Sequence, residues 1–79
     1  MELKDTVNLM LSDDYKDRFR AEYYQAKIRR DKLHTLLETY PVLDFEPNTD
    51  YRTLWLQLTT MDSYLEQLLK RAYLEKIAL

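Results

Sequence analysis

The chain of 79 residues contains no glycine and no cysteine, and only two prolines. Without glycine there can be no Walker loop, dinucleotide-binding turn or nucleophile elbow, because each needs a backbone position with no Cβ in the way. Without cysteine there is neither a disulfide framework nor a thiolate zinc site, so the usual staples of a short chain are missing. Charge of one sign is also lacking. Twelve Lys and Arg against fourteen Asp and Glu leave a net −2, which provides no global field for DNA or an anionic membrane and disfavours a nucleic-acid partner. Any anion site must be local. No apolar run approaches the roughly 18 residues of a membrane span, and Met1-Glu2-Leu3-Lys4-Asp5 lacks the layout of a signal peptide. A cytoplasmic location without membrane attachment is expected.

What is present is apolar. A hydrophobic content of 46% alongside 33% charged residues departs from the signature of disorder. A single small domain over residues 1–79 follows. The surface-scaling relations give such a domain roughly 5,000 Å² exposed against about 14,000 Å² unfolded, a thin core for which self-association is the natural reinforcement.

Between Ser12 and Tyr40 no proline intervenes, and Tyr15, Phe19, Tyr23, Ala26, Leu33, Leu37 and Tyr40 recur at helical spacing. A helix over 12–40 is predicted, capped by Ser12, with Asp13, Asp14 and Asp17 near its positive end and Pro41 as its stop. The segment 41–49 reads as an extended connector whose Leu43 and Phe45 tuck onto the helices. Asp44, Glu46 and Asp50 around it suit solubility and capping. Asn48, Thr49 and Asp50 are competent caps for a second helix over 50–77, along which Tyr51, Leu54, Leu58, Met61, Leu65, Leu68 and Ala72 form a heptad-like seam. Residues 1–11 predict a short helix with Leu3, Val7 and Met10 on one face. The fold class is therefore all-α: an antiparallel helical hairpin with a short N-terminal helix. Apolar residues outside the seams, namely Ala21, Tyr24 and Ile28 on the first long helix and Trp55, Leu69 and Tyr73 on the second, call for a further cover. Soluble monomers seldom expose large apolar patches, so a homo-oligomeric helical bundle is expected, with Ala21, Ile28, Trp55, Leu69 and Tyr73 at its subunit contacts.

From Tyr15 to His34, seven basic residues face three acidic ones. At 100° per residue Arg20, Tyr24, Lys27, Asp31 and His34 share a strip beside the seam that holds Arg30. Cations next to aromatic rings suit a phosphorylated nucleobase ligand, with Arg taking phosphate oxygens and Tyr stacking on the base. The candidate ligand residues are Arg20, Tyr24, Lys27, Arg30 and His34. The same strip is also consistent with a solvated face carrying i,i+4 pairs such as Lys27 with Asp31. Arg30 sits within the seam, where it can pair with Asp62 or Glu66, snorkel to solvent, or hold an anionic ligand. His34 is the one histidine, so no second imidazole is available for a metal site, and neither metal nor cofactor is expected. No nucleophile, base and oxyanion arrangement is apparent, which argues against an enzyme.

The run from Ser12 to Arg29, with Ser12-Asp13-Asp14-Tyr15 and Phe19-Arg20-Ala21-Glu22-Tyr23-Tyr24 within it, resembles uncharacterised small two-helix proteins of phages and mobile elements of Gram-positive gut bacteria, a hairpin family related to crAss-type phages. The pattern continues through Asp31-Lys32-Leu33, Leu43-Asp44-Phe45, then Leu54, Gln57, Met61, Tyr64, Leu65 and Leu68, and a basic residue at Arg71. This chain departs from it in carrying Tyr40-Pro41-Val42 where relatives have a glycine-containing stretch. The resemblance implies origin and fold more than activity. In size and architecture the chain is also similar to viral sponges that sequester the cyclic nucleotide signals of CBASS and Thoeris defence. That likeness implies a non-enzymatic anti-defence protein that holds a cyclic nucleotide between subunits. The alternatives are an inhibitor that docks on a defence nuclease or host regulator through Trp55 and the tyrosines, and a structural coiled-coil adaptor.

Overall fold

The computed structural model describes residues 1–43, 45 and 47–79; Asp44 and Glu46, expected to serve solubility and capping, lie outside the described residues. The element order is a 3-10 turn (Leu3–Thr6), α1 (Val7–Met10), α2 (Tyr15–Thr39), a second 3-10 turn (Tyr40–Val42) and α3 (Tyr51–Glu75). No strand occurs among the described residues. α2 and α3 have 25 residues each, so each runs about 37 Å at 1.5 Å per residue.

They run antiparallel. Tyr40 meets Tyr51 with ring centroids 5.4 Å apart at the connector end, Arg30 meets Asp62 midway, and Arg20 reaches the carbonyl of Ala78 at the open end. The core lies toward that open end, where Phe19, Leu65, Leu68, Ala72 and Ile77 are buried together and Tyr23 and Ala26 pack against them. Leu37 and Leu58 are buried nearer the connector. The heptad-like seam thus supplies the contact between the long helices. Leu68 is 2% exposed, and its truncation to Ala should cost about 2–5 kcal/mol.

The helix ends differ in detail from their sequence signals. Asp14, not Ser12, is the N-cap of α2 and accepts from the Lys16 amide at 2.9 Å. Ser12 instead accepts from the Asp14 amide and donates to Asp17, fixing the turn that feeds the cap. The α-helix ends at Thr39, but Tyr40 keeps helical dihedrals and Pro41 sits inside a 3-10 turn, so the chain tightens before it breaks. Leu43 is half-buried, whereas Phe45, expected to tuck in, is 61% exposed. Asp50 caps α3 by accepting from the Thr53 amide at 3.2 Å.

At its far end α3 stops in a Schellman arrangement. Lys76 takes the left-handed conformation (φ 57°, ψ 46°), the Ile77 amide donates to the Ala72 carbonyl at 2.9 Å and the Lys76 amide to Tyr73 at 3.4 Å. Ile77 is driven into the core against Ala72, the apolar contact that accompanies this motif. Glycine is the usual residue here; a chain without one places a Cβ where it is crowded.

The N-terminal segment lies along α2. Thr6 is buried, donates to the Leu3 carbonyl at 2.7 Å and accepts from the Gln25 amide at 2.9 Å. The inward face is therefore Leu3, Thr6 and Leu9; Val7 and Met10 are exposed. This packing corrects one expectation. Ala21, one turn from Gln25, is 1% exposed within the chain, so the cover expected from a partner subunit comes from the chain's own N-terminal segment. Ile28 on the same side is half-buried and lines a hollow of about 400 Å³ with Met1, Asp31, Lys32 and Thr35.

Candidate functional site

α2 and α3 together build the candidate site along one lateral groove. On α2, residues 27, 30 and 34 recur at three and four, so Lys27, Arg30 and His34 project to the same side. On α3, residues 51, 55, 62, 66 and 69 do likewise and face them across the groove. The middle of the groove holds about 310 Å³ and is lined by Tyr23, Lys27, Arg30, Asp62, Glu66 and Leu69, with Leu65 beneath. Toward the connector lies a smaller slot of about 190 Å³ between His34, Glu38, Tyr51 and Trp55, floored by Leu37 and Leu58.

Every cation of the predicted strip has a carboxylate partner. Lys27 Nζ donates to both oxygens of Asp31 at 2.9 Å. Arg30 donates through Nε to Asp62 at 2.6 Å and through Nη1 to Asp31 at 3.3 Å. Arg20 donates through Nη1 to Asp17 and through Nε to the Ala78 carbonyl, which ties the chain end to α2. His34 Nδ1 lies 2.9 Å from Glu38 Oε1. Asp31 is held below the usual carboxylate value chiefly by the hydrogen bond from Lys27; burial opposes this, and the weaker effect of the hydrogen bond from Arg30 adds to the lowering. Arg30 is pushed above its ordinary value chiefly by its hydrogen bond to Asp62.

Lys27 and Arg30 therefore come together, with His34 one turn further along the same groove. Arg20 is committed to the chain end. Tyr24 stands against Tyr23 edge to face, centroids 5.5 Å apart, and it is Tyr23 that enters the groove. Sequence reasoning raised Asp62 and Glu66 only as partners for Arg30; in the folded chain they also form the wall opposite the cations. Trp55, Leu69 and Tyr73, expected at subunit contacts, are 48%, 48% and 84% exposed. Trp55 and Leu69 line the groove as well.

Among the described residues no three His, Asp or Glu side chains converge as a metal site, and no helix is long and apolar enough to cross a membrane. The buried side-chain polar atoms there are all hydrogen-bonded.

The model of the Sequestin family matches residues 13–74. The chain belongs to this family. The match spans α2, the connector and nearly all of α3, and so contains the whole lateral groove. The Sequestin name denotes a binding role, not a catalytic one. No curated protein and no solved structure matches.

Proposed function

We propose that this Sequestin is a non-enzymatic accessory protein of a phage or mobile element that counteracts bacterial immunity by binding a cyclic nucleotide signal at a subunit interface and withholding it. The observation that carries the reading is the family match across both long helices, joined to a groove in which Lys27 and Arg30 lie beside aromatic rings. Arg30 uses Nε and Nη1 on carboxylates, leaving the Nη2 edge of its guanidinium for a phosphate. The Lys27–Asp31 pair is about half-exposed on both sides. Such pairs contribute about 0–1 kcal/mol, so a phosphate that displaces Asp31 gives up little.

The shape supports sharing of the ligand between chains. The radius of gyration is 15.0 Å, against about 12 Å for a globular domain of this length, and the chain exposes 5993 Å², above the roughly 5,000 Å² of the scaling relation. Trp55, Leu69 and Tyr73 carry part of that excess on the groove side of α3. Assembly through them closes the groove over a ligand and removes water from the phosphate contacts, which strengthens those contacts. The work would take place in the cytoplasm of the bacterial host.

Calorimetry against cyclic dinucleotides, cyclic trinucleotides and cyclic ADP-ribose isomers tests the reading. Saturable heat with at least one of them, and recovery of that ligand intact after denaturation, is expected; no heat with any member overturns it. A second reading, an inhibitor that docks on a host defence protein, is favoured specifically by Tyr73, which is 84% exposed yet large and apolar. Capture of one stoichiometric host protein, abolished by Tyr73→Ser, would select it. A coiled-coil adaptor is the remaining alternative.

A further inference from the structure

The slot at the connector end of the groove differs in chemistry from its charged middle. Its walls are an indole, a phenol, an imidazole and the Glu38 carboxylate, and its floor is Leu37 with Leu58. The aromatic walls are held in place from behind. Tyr51 is braced edge to face by Tyr40 at 5.4 Å, and Tyr40 Oη in turn donates to the Thr49 carbonyl at 3.4 Å. Glu38 Oε1 lies 2.9 Å from His34 Nδ1, and among the described residues Nε2 has no hydrogen bond within the chain. Flat aromatic walls over an apolar floor, with the His34 and Glu38 polar atoms at the edge, suit a flat heteroaromatic ring, since every nucleobase has a π-face and an edge that hydrogen-bonds.

The slot is also in register with the cations. His34, Arg30 and Lys27 are spaced by four and three residues on one face of α2, which puts Arg30 about 6 Å and Lys27 about 10.5 Å along the helix axis from His34. A ring in the slot would thus have its attached phosphates running toward Arg30 first and Lys27 second. About 190 Å³ is below the ordinary 300–1,000 Å³ of a pocket for a whole drug-sized ligand. It is room for one ring system, with the remainder of the molecule extending along the helices toward the 310 Å³ hollow around Arg30.

We propose that the space between His34, Tyr51 and Trp55 is a nucleobase subsite: the base stacks on Trp55, His34 Nε2 meets its edge, and the phosphates extend to Arg30 and Lys27. This rests on the sequestration reading and assigns the base to a place away from Tyr24. Any subunit contact made by Trp55 then forms over an occupied slot.

The chain has a single tryptophan, so its emission reports the slot directly. The experiment titrates the full chain with cyclic di-AMP, 3′,3′-cyclic GMP–AMP and cyclic ADP-ribose, following heat and Trp55 fluorescence together. The heat titration is repeated for His34→Ala and Trp55→Leu, with circular dichroism confirming an unchanged fold and sedimentation separating loss of the base stack from loss of the subunit contact made by Trp55. Expected are quenching of Trp55 with the same midpoint as the heat, and at least a fivefold loss of affinity in each variant, the lower end of what one base stack contributes. Heat without a change in Trp55 emission, or undiminished affinity in His34→Ala, overturns the subsite while leaving sequestration standing. No heat with any of the three ligands in the wild-type chain overturns the subsite, and failure across the wider calorimetric panel overturns sequestration too.

Discussion

Arg30 and Asp62 join the two long helices at their midpoint, the guanidinium Nε donating to the carboxylate at 2.6 Å. Both side chains are partly exposed, so the pair contributes little to stability. Its interest lies in competition, because the carboxylate occupies an edge of the guanidinium that a phosphate would also seek. Arg30→Met is expected to lower nucleotide affinity at least tenfold while shifting the thermal midpoint by only a few degrees. Asp62→Asn is expected to act in the opposite direction, tightening binding by releasing the arginine. Calorimetry and thermal melts on the two variants check both signs. Equal affinity in all three proteins would make the pair purely structural.

Lys76 occupies the left-handed position that ends α3. A residue with a Cβ is disfavoured there by roughly 1–2 kcal/mol, partly offset by the larger unfolded-state freedom of glycine. Lys76→Gly should therefore stabilise the chain by about 0.5–1 kcal/mol, read as a higher urea midpoint at unchanged m-value. A lower midpoint would mean that the lysine side chain does more than fill the cap.

Thr6 both donates to Leu3 and accepts from Gln25, and it is the buried polar contact that seats the N-terminal segment on α2. Thr6→Val keeps the shape but leaves the Gln25 amide without this acceptor, and a cost of about 1–3 kcal/mol is expected. Hydrogen exchange should then show faster exchange confined to residues 3–10. Faster exchange throughout α3 instead would mean that the segment is integral to the hairpin core.

Asp31 and Asp50 both sit below the ordinary carboxyl value of 3.8, Asp31 chiefly through Lys27 and Asp50 chiefly through its hydrogen bonds with Thr53. Groups depressed in the folded state add stability above their unfolded value and lose it as the pH falls through the folded one. The urea midpoint should be flat above about pH 5 and fall below about pH 4. The fall should be shallower in the Asp31→Asn, Asp50→Asn double variant. An identical acid slope would assign the effect to other carboxylates.

Much of the fold is legible in the sequence because its seam is regular. Phe19, Leu37, Leu58, Leu65, Leu68 and Ala72 fall at helical spacing and are the residues buried between and within the helices. Arg30 is legible as a seam residue in need of a carboxylate, and Asp62 was one of two within its reach. The true cap of α2 is less so, since Ser12, Asp13 and Asp14 are three competent acceptors in succession and only the turn geometry chooses among them. Ala21 shows the limit of counting apolar stripes: periodicity says that a face needs cover, not whether the cover is another subunit or residues 3–10 of the same chain. Tyr23 and Tyr24 differ by 100° of rotation, and the rotation of α2 against α3 selects Tyr23 for the groove. The carboxylate wall of Asp62 and Glu66 depends on that same rotation, so the strip's positive excess on α2 alone overstates the charge of the assembled site.

Under the proposed function, this Sequestin holds a cyclic nucleotide intact between chains. Native mass spectrometry of the protein mixed with equimolar cyclic di-AMP, cyclic di-GMP, 3′,3′-cyclic GMP–AMP and cyclic ADP-ribose tests it most directly, since one spectrum gives subunit number, ligand mass and their ratio. The account predicts an oligomer that carries fewer ligands than chains, each at its unmodified mass. A monomer free of adducts would contradict it.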